Sequence, residues 1–540
     1  MTTGGGTPGS PVRFGTPAAR WVLLATVLGS SMVMLDATVV NVALPTIGRH
    51  LGASLGDLQW TVSAYTLTLA ALILLGGSLG DRLGRRRVFL TGVIWFALAS
   101  ALCGLAPDIA VLIGARVLQG VGGALLTPGS LAIIQVSFAP DDRARAVGAW
   151  SGLGGVAGAA GPLLGGWIVQ VAGWRWVFLL NLPLAVVVAA VTMRHVPESR
   201  DLAARGRFDL AGAGFCALAL GGITYALIEA PELAGHPAGP VLAAVIGVGA
   251  AASFIWLERR RTYAPGAVAP MLPVDVFGSR QFTVVNVITF LVYGAFGGMI
   301  FLLILQLQVV SGFSPLAAGT ALLPTTVLML LLSARAGALA QRAGPRWLMT
   351  GGCTGCAAGV LLMTRIGPHA SYLTDVLPAV VVFGLGLSMT VAPLTATVLA
   401  SADVRHAGVA SGVNNAVARA AGLLAVAGLP AAAGLGAASY HSAARFAAGF
   451  DKAMIGCAAV LLTAAVLSGL LIDSNVLRGG PAGQRVAMPE CRVNCPLGGP
   501  PLEPDQDDVA AARALPSAVA DRRGGADRRG GADRRGGAET

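Results

Sequence analysis

Charged residues are scarce in this chain. Only 12% of its 540 residues are charged, whereas 55% are apolar, and the mean hydropathy is +0.73. A soluble protein carries about 25% charged residues, so the composition excludes a soluble domain. The apolar runs are continuous rather than alternating, and backbone polar groups in lipid must be paired internally, which favours helices over the strands of a barrel. The sequence therefore predicts an all-α integral membrane protein.

Signatures of nucleotide and metal chemistry are missing as well. The chain has no G-x-x-x-x-G-K-[ST] segment, which disfavours an ATP-driven mechanism. None of the six histidines falls in the middle of an apolar run. Cys353 and Cys356 have metal-like spacing, but they lie in an apolar run without a second pair, so packing is the better interpretation. We expect no metal, no cofactor and no enzymatic activity.

The arginines of the chain alternate between connections. Fourteen apolar runs are long enough to span about 30 Å of hydrocarbon, and most arginines lie in every second connection, beginning with residues 80–87. This is the positive-inside pattern, so both termini are expected in the cytoplasm and the protein in the cell membrane. The net charge of +11 belongs to these loops and to the tail, so we expect the lipid bilayer, and no nucleic acid, as a partner.

A short basic segment occurs twice, each time between two apolar runs. Residues 77–87 read GSLGDRLGRRR, and residues 337–346 repeat the spacing G-x-L-x-x-R-x-G-x-R. Such a repeat indicates a duplicated helical unit, and the matching positions predict two pseudo-symmetric six-helix bundles plus an inserted helix pair. The predicted divisions are a cytoplasmic segment 1–19, a first bundle 20–193, a linker with the inserted pair 194–281, a second bundle 282–472 and a disordered cytoplasmic tail 473–540.

Two opposite charges stand deep inside the first and fourth runs. A carboxylate at mid-helix costs about 2.5–3.5 kcal/mol, so Asp36 is expected to face an aqueous path, the alternative being an acid that snorkels to the outer surface. Asp36 lies nine residues before Pro45, and Arg116 lies eight residues after Asp108. At about 1.5 Å per residue, the two charges therefore lie at matching depth below the outer surface. Arginine keeps its proton, so Asp36 must be the residue that titrates, and Arg116 is the residue that adjusts the pKa of Asp36. We predict these two as the proton-coupling pair.

The fifth run carries a pattern of glycine and proline. Residues 161–166 read GPLLGG, in which the glycines allow close helix contact and Pro162 bends the helix. This segment resembles the antiporter motif of drug-exporting facilitators, with Ala157 where the family often has Gly. Residues 77–87 resemble the cytoplasmic loop signature of the major facilitator superfamily. The chain is also similar to its drug:proton antiporters with fourteen spans at residues 174–183, 319–324 and 408–415.

The resemblance implies the major facilitator fold and a proton-coupled secondary transporter. Such a protein expels hydrophobic or amphipathic drugs or antibiotics by alternating access, and so confers multidrug resistance. A carrier of an endogenous metabolite on the same fold is the alternative, and a membrane-embedded enzyme is a remote one. The resemblance also implies an antiporter motif at Gly161, Pro162, Gly165 and Gly166, and a conformational latch at Gly77, Asp81, Arg82, Gly84 and Arg85.

Two asymmetries limit these expectations. Gln341 replaces the acid in the second basic segment, so a charge latch is expected only in the first bundle. Arg419 lies about twelve residues into the thirteenth run, where it either lines a central cavity or only begins the apolar part of its helix.

The sequence also limits the charge of the transported molecule. With one clear intramembrane acid, neutral molecules or monocations are better candidates for the cargo than dications. The candidate cavity-lining residues are Met32, Met34, Asn41, Gln119, Asn414, Asn415 and Arg419.

Overall fold

Long helices account for nearly all of the chain that can be placed. The computed structural model describes residues 12–200, 208–233, 235, 237–264, 268, 270–402, 407–436 and 442–477. These ranges contain 14 helical spans that are long and apolar enough to cross a membrane, and no β-strand. The predicted all-α membrane fold is therefore confirmed. Most of the predicted N-terminal segment and tail lies outside the described residues.

Seven helices form the first bundle, two form a pair and seven form the second bundle. The first contains α1 (Pro17–Leu51), α2 (Leu55–Leu83), α3 (Arg85–Leu105), α4 (Ile109–Ser137), α5 (Pro140–Val171), α6 (Arg175–Leu179) and α7 (Asn181–His195). The pair is α8 (Leu210–Ile228) and α9 (Ala238–Tyr263). The second contains α10 (Arg280–Leu305), α11 (Pro315–Thr320), α12 (Leu323–Ala343), α13 (Pro345–Leu362), α14 (Leu377–Ala400), α15 (Ala407–Ala432) and α16 (Ala443–Leu471). α6 with α7, and α11 with α12, each make one span.

Capping residues set the first helix boundaries. The Thr16 hydroxyl accepts the Ala19 backbone N–H at the start of α1, and Ser54 forms a reciprocal capping box with Asp57 at the start of α2. α1 runs through Pro45 to Leu51 and ends at Gly52, whose φ of +62° few other residues adopt. Pro45 does not end α1, because a proline is tolerated within a packed membrane helix.

The two bundles repeat one packing pattern. In the first, α1 packs on α5 and α7, while α4 packs on α2 and α3. In the second, α10 packs on α15 and α16, while α14 packs on α12 and α13. The two basic segments also match, since Gly84 faces Glu198, just beyond α7, and Gly344 faces Ser474, just beyond α16. Equivalent helices thus meet equivalent partners, as expected for a duplicated unit.

The bundles meet mainly at one end of the molecule. We call the end that carries the basic segments the basic end, and the other the opposite end. At the opposite end one continuous hydrophobic cluster contains side chains of α1 and α10, including Leu44 and Phe301. Toward the basic end, the glycines of α5 from Gly148 to Gly158 have no neighbouring atoms where a Cβ would stand. The bundles are therefore joined at the opposite end and separate along α5 toward the basic end.

The inserted pair packs beside this interface. α8 contacts both α2 and α15, and α9 lies outside α8. At the basic end Asp209 caps α8 and pairs with Arg261 of α9, while buried Glu258 accepts the Leu272 backbone N–H. Burial alone would raise the pKa of Asp209, but hydrogen bonds with Glu258, Arg261 and the Gly212 N–H lower it overall. These charges fasten the pair to the segment that leads into α10.

Candidate functional site

A buried polar network occupies the middle of the first bundle. The Asp36 carboxylate accepts a hydrogen bond from Arg116 Nη1 at 2.5 Å, from Gln119 Nε2 at 2.8 Å and from Asn181 Nδ2 at 3.2 Å. The Asp36 and Arg116 side chains are 0% and 1% exposed. The structure thus brings together the two charges that the sequence placed at equal depth. The Asp36 carboxylate is therefore not in contact with solvent in this structure, whereas the sequence predicted that it faces an aqueous path.

Arg116 is held on three further sides. Its Nε donates to the Thr61 backbone carbonyl at 3.0 Å, and its Nη1 also donates to Gln119 Oε1 at 2.6 Å. The guanidinium carbon lies 4.2 Å from the centre of the buried Tyr65 ring, a cation–π contact. An ion pair this deeply buried needs such additional partners to offset its desolvation.

Sequence reasoning missed several members of this network. Asn181 lies at the break between α6 and α7, and Ser100 of α3 accepts hydrogen bonds from both Asn181 and Gln119. Gln119 was predicted to line the cavity, but it is fully buried in the network because Asp36 and Ser100 take its amide. Ser100 and Asn181 are each a polar residue in an apolar span, which is a signal for function, but the sequence does not show that they face the same point.

The glycine motif of α5 packs directly against α1, close to Asp36. A Cβ on Gly165 would lie 2.7 Å from Val39 Cγ1, and a Cβ on Gly161 would collide with the Thr38 side chain. Contacts this short force a shift of the neighbouring atoms, so the two glycines set the spacing of the helices. Thr38 and Val39 follow Asp36 by two and three residues.

The same motif reaches the other bundle. A Cβ on Gly166 would lie 2.5 Å from the Pro315 carbonyl oxygen and 2.7 Å from Leu316 Cα, and a Cβ on Gly319 would overlap the Pro162 carbonyl. Both contacts are with backbone, which cannot rotate aside. Two polar bonds add to this interface, from Gln308 Nε2 to the Val42 carbonyl at 2.9 Å and from Gln59 Nε2 to the Val426 carbonyl at 2.7 Å.

The predicted latch residues lie at the basic end of the first bundle. Asp81 accepts a hydrogen bond from Arg85 at 2.7 Å, and Arg82 stacks on Phe208 at 4.4 Å. Gly84, at a φ of +115°, lies against Glu198, and the Gly77 Cα faces Pro128. The sequence did not indicate Glu198, which also accepts the Arg86 backbone N–H at 3.2 Å.

The remaining candidates for the cavity divide into two groups. Met32 is buried in the hydrophobic core of the first bundle and does not line a cavity, because it points toward neighbouring helices. Asn414 donates to Asn286 and Thr289 of α10, and Asn41 donates to the Ala37 carbonyl. The accessible candidates are Met34, which is 48% exposed, Asn415, which is exposed, and Arg419, which is partly buried.

An apolar cavity of about 690 Å³ lies elsewhere, at the opposite end of the second bundle. Its walls come from α11, α12 and α14 and carry no charged side chain. It contains none of the residues that the sequence indicated, so it does not define the charged site. Its lining residues include Phe313, Thr320, Pro324 and Tyr372.

Two repeated helix bundles that are joined at one end, with a buried ion pair inside the first, are typical of a membrane transporter. The chain belongs to the major facilitator superfamily, because residues 26–426 match the sequence profile of the Major Facilitator Superfamily. A solved bacterial homolog of the human lysosomal transporter Spinster, inward-facing and unoccupied, has the same fold, with a TM-score of 0.60 at 20% identity. The match covers 86% of this chain and 98% of that one.

Curated relatives identify the branch of the superfamily. The puromycin resistance protein pur8 of Streptomyces alboniger is 35% identical over 493 residues, which are 88% of this chain and 95% of that protein. The multidrug resistance protein Stp of Mycobacterium tuberculosis (strain CDC 1551 / Oshkosh) is 36% identical over 396 residues, 73% of this chain and 72% of Stp. The tetracenomycin C resistance and export protein of Streptomyces glaucescens is 35% identical over 77% of this chain and 76% of its own length. The resemblance to drug-efflux transporters is confirmed.

Proposed function

We propose that this transporter exports hydrophobic or amphipathic small molecules in exchange for protons, by alternating access to a central site. The observation that carries the proposal is the buried pair of Asp36 and Arg116: Thr38 and Val39, two and three residues after Asp36, pack on Gly161 and Gly165 of α5, next to Gly166, which contacts the second bundle. Relatives named for resistance to puromycin and for export of tetracenomycin C support the direction of transport and the class of cargo.

In this proposal the basic end faces the cytoplasm, both termini are cytoplasmic, and the protein lies in the cell membrane. The opposite end is then the outer one. Its closed interface and the separation along α5 correspond to an inward-facing state. Reporter fusions test this orientation: Pro107 and Gly436 should read as external and Ala264 as internal. An internal signal at Gly436 would contradict the placement of the inserted pair.

Proton binding at Asp36 is the proposed source of coupling. The carboxylate accepts three hydrogen bonds, from Arg116, Gln119 and Asn181, the pattern of an ionised acid. Protonation would remove the charge that balances Arg116 and leave a buried guanidinium without its counter-ion. The network must then rearrange, and α1, which carries Asp36, is the helix that moves.

The packing of α5 connects a movement of α1 to the closed interface between the bundles at the opposite end. Thr38 and Val39 of α1 contact Gly161 and Gly165, and one residue further Gly166 contacts Pro315 of the second bundle. A shift of α1 by a fraction of an ångström has no free space at these glycines. We propose that the charge state of Asp36 is thereby transmitted to the outer interface. Cargo binding favours the outward-facing conformer, in which cargo is released, and proton binding favours the inward-facing conformer, in which the proton is released.

Transport by purified protein in proteoliposomes tests the mechanism. With a pH gradient imposed, Asp36→Asn should abolish gradient-driven accumulation of a transported drug, and Arg116→Lys, which keeps the charge but loses the planar fork, should reduce it in part. Asp141→Asn is the matched control, because Asp141 is an exposed acid in the first turn of α5. If Asp36→Asn still concentrates drug with intact proton flux, another residue carries the proton.

A further inference from the structure

Arg419 places a positive charge in the middle of a membrane-spanning helix. It lies near the centre of α15, twelve residues from Ala407 and thirteen from Ala432. Within the part of the chain that the structure describes, its guanidinium has no hydrogen bond and no ion pair, whereas Arg116 at similar depth has Asp36. An unpaired charge at this depth is costly, so an intramembrane arginine is expected to face water or a ligand.

The contacts of α15 show which way Arg419 faces. Gly412 and Val426 lie seven residues before and after Arg419, so all three share one stripe of the helix. Gly412 faces Leu74 of α2, and the Val426 carbonyl accepts from Gln59 of α2. Because α2 and α15 run antiparallel, Arg419 lies opposite the middle of α2, near Tyr65. Arg419 therefore stands at the interface of the two bundles.

A polar path leads to Arg419 from the basic end. Ser411 and Asn415 precede it by eight and four residues, so the three side chains form a row along the helix. Asn415 is exposed, and Ser411 and Arg419 are partly exposed. Among the described residues, the Asn415 amide bonds only to its own helix, at the Ser411 carbonyl. Solvent therefore reaches the polar row between Ser411 and Arg419.

From this arrangement we infer that Arg419 binds the negatively charged group of the cargo, and that the preferred cargo is an amphipathic organic anion, such as a carboxylate or phenolate on an apolar body. The inference rests on the proposed export function and specifies its substrate class. Arg116 and Arg419 both lie near Tyr65, and among the described residues only the guanidinium of Arg116 is paired with a carboxylate. A cation in this place would meet an uncompensated charge of its own sign, whereas an anion completes the balance.

Two xanthene dyes of similar size and opposite charge test the inference, namely fluorescein, anionic at pH 7.5, and cationic rhodamine 123. Fluorescence anisotropy with the detergent-purified protein gives their affinities. Fluorescein should bind more tightly than rhodamine 123. Arg419→Gln should weaken fluorescein binding about tenfold or more, through loss of a charge-assisted bond, and should not weaken rhodamine binding. Arg419→Lys should retain most of the affinity, and Arg445→Gln, at an exposed arginine near the opposite end, should retain all of it.

Drug susceptibility of cells that express the same variants separates this inference from the proposed function. Equal or tighter binding of rhodamine 123 by the wild type would overturn the inference, and so would fluorescein binding that Arg419→Gln leaves unchanged. If neither dye binds while the cells resist other compounds, the anion preference is wrong and the export function stands. If the cells resist nothing and the vesicles transport nothing, the proposed function itself fails.

Discussion

The contact between Gly166 and Pro315 makes the sharpest prediction about conformational change. A Cβ at Gly166 would lie 2.5 Å from the Pro315 carbonyl oxygen and 2.7 Å from Leu316 Cα, about 1 Å closer than an ordinary contact. Both atoms are backbone, so the methyl group of Gly166→Ala can be accommodated only if the two bundles separate at the opposite end. Overpacking of this kind costs about 1–3 kcal/mol. The closed population should therefore fall by a factor of about 5 to 150 relative to the open one.

Spin labels at the opposite end measure this shift. Val171 at the end of α5 and Leu373 before α14 are each 69% exposed and belong to different bundles. With cysteines introduced there in a background without the native ones, electron–electron double resonance should show longer distances in Gly166→Ala. Gly158→Ala, eight residues earlier on α5, is the matched control, since nothing lies within 4 Å of its Cβ position. An unchanged distance distribution in folded Gly166→Ala would refute the prediction that this contact keeps the two bundles closed at the opposite end.

Three further outcomes test other parts of the molecule. Asp81→Asn should lower transport with normal insertion, because Arg85 loses its partner, whereas Gln341→Asp should be nearly neutral; equal losses in transport assays would contradict an asymmetric latch. Asp209→Asn should lower the Tm of the purified protein by destabilising it about 3 kcal/mol, and an unchanged Tm would contradict the role of the Arg261 pair. An inside-negative potential of about 100 mV should accelerate fluorescein export from vesicles, since each negative charge that leaves and each proton that enters gains about 2.3 kcal/mol; an unchanged rate would contradict the exchange of an anion for protons.

Much of the architecture was predictable because membrane helices leave strong local signals. Apolar runs gave the fourteen spans, and equal depth brought Asp36 and Arg116 together before any contact was known. The partners that complete the network, Asn181 and Ser100, were not predictable, because one polar residue in an apolar helix does not indicate which face it occupies. The inward face of Arg419 likewise depends on the register between α2 and α15, which only tertiary packing sets.

The signs of the charges at Asp36 and Arg419 restrict how export can be coupled to protons. An anion near Arg419 attracts a proton to Asp36, so an anionic cargo and a proton cannot displace each other by repulsion. Exchange must then arise from the conformational equilibrium between the inward-facing and outward-facing states, in which cargo and proton favour different states. Asp36→Asn, which removes the negative charge, should therefore bind fluorescein at least as tightly as the wild type at pH 7.5, although it loses gradient-driven transport. A loss of fluorescein affinity by tenfold or more in this variant, with Asp141→Asn unaffected, would instead indicate direct competition at one site and would contradict the assignment of Arg419.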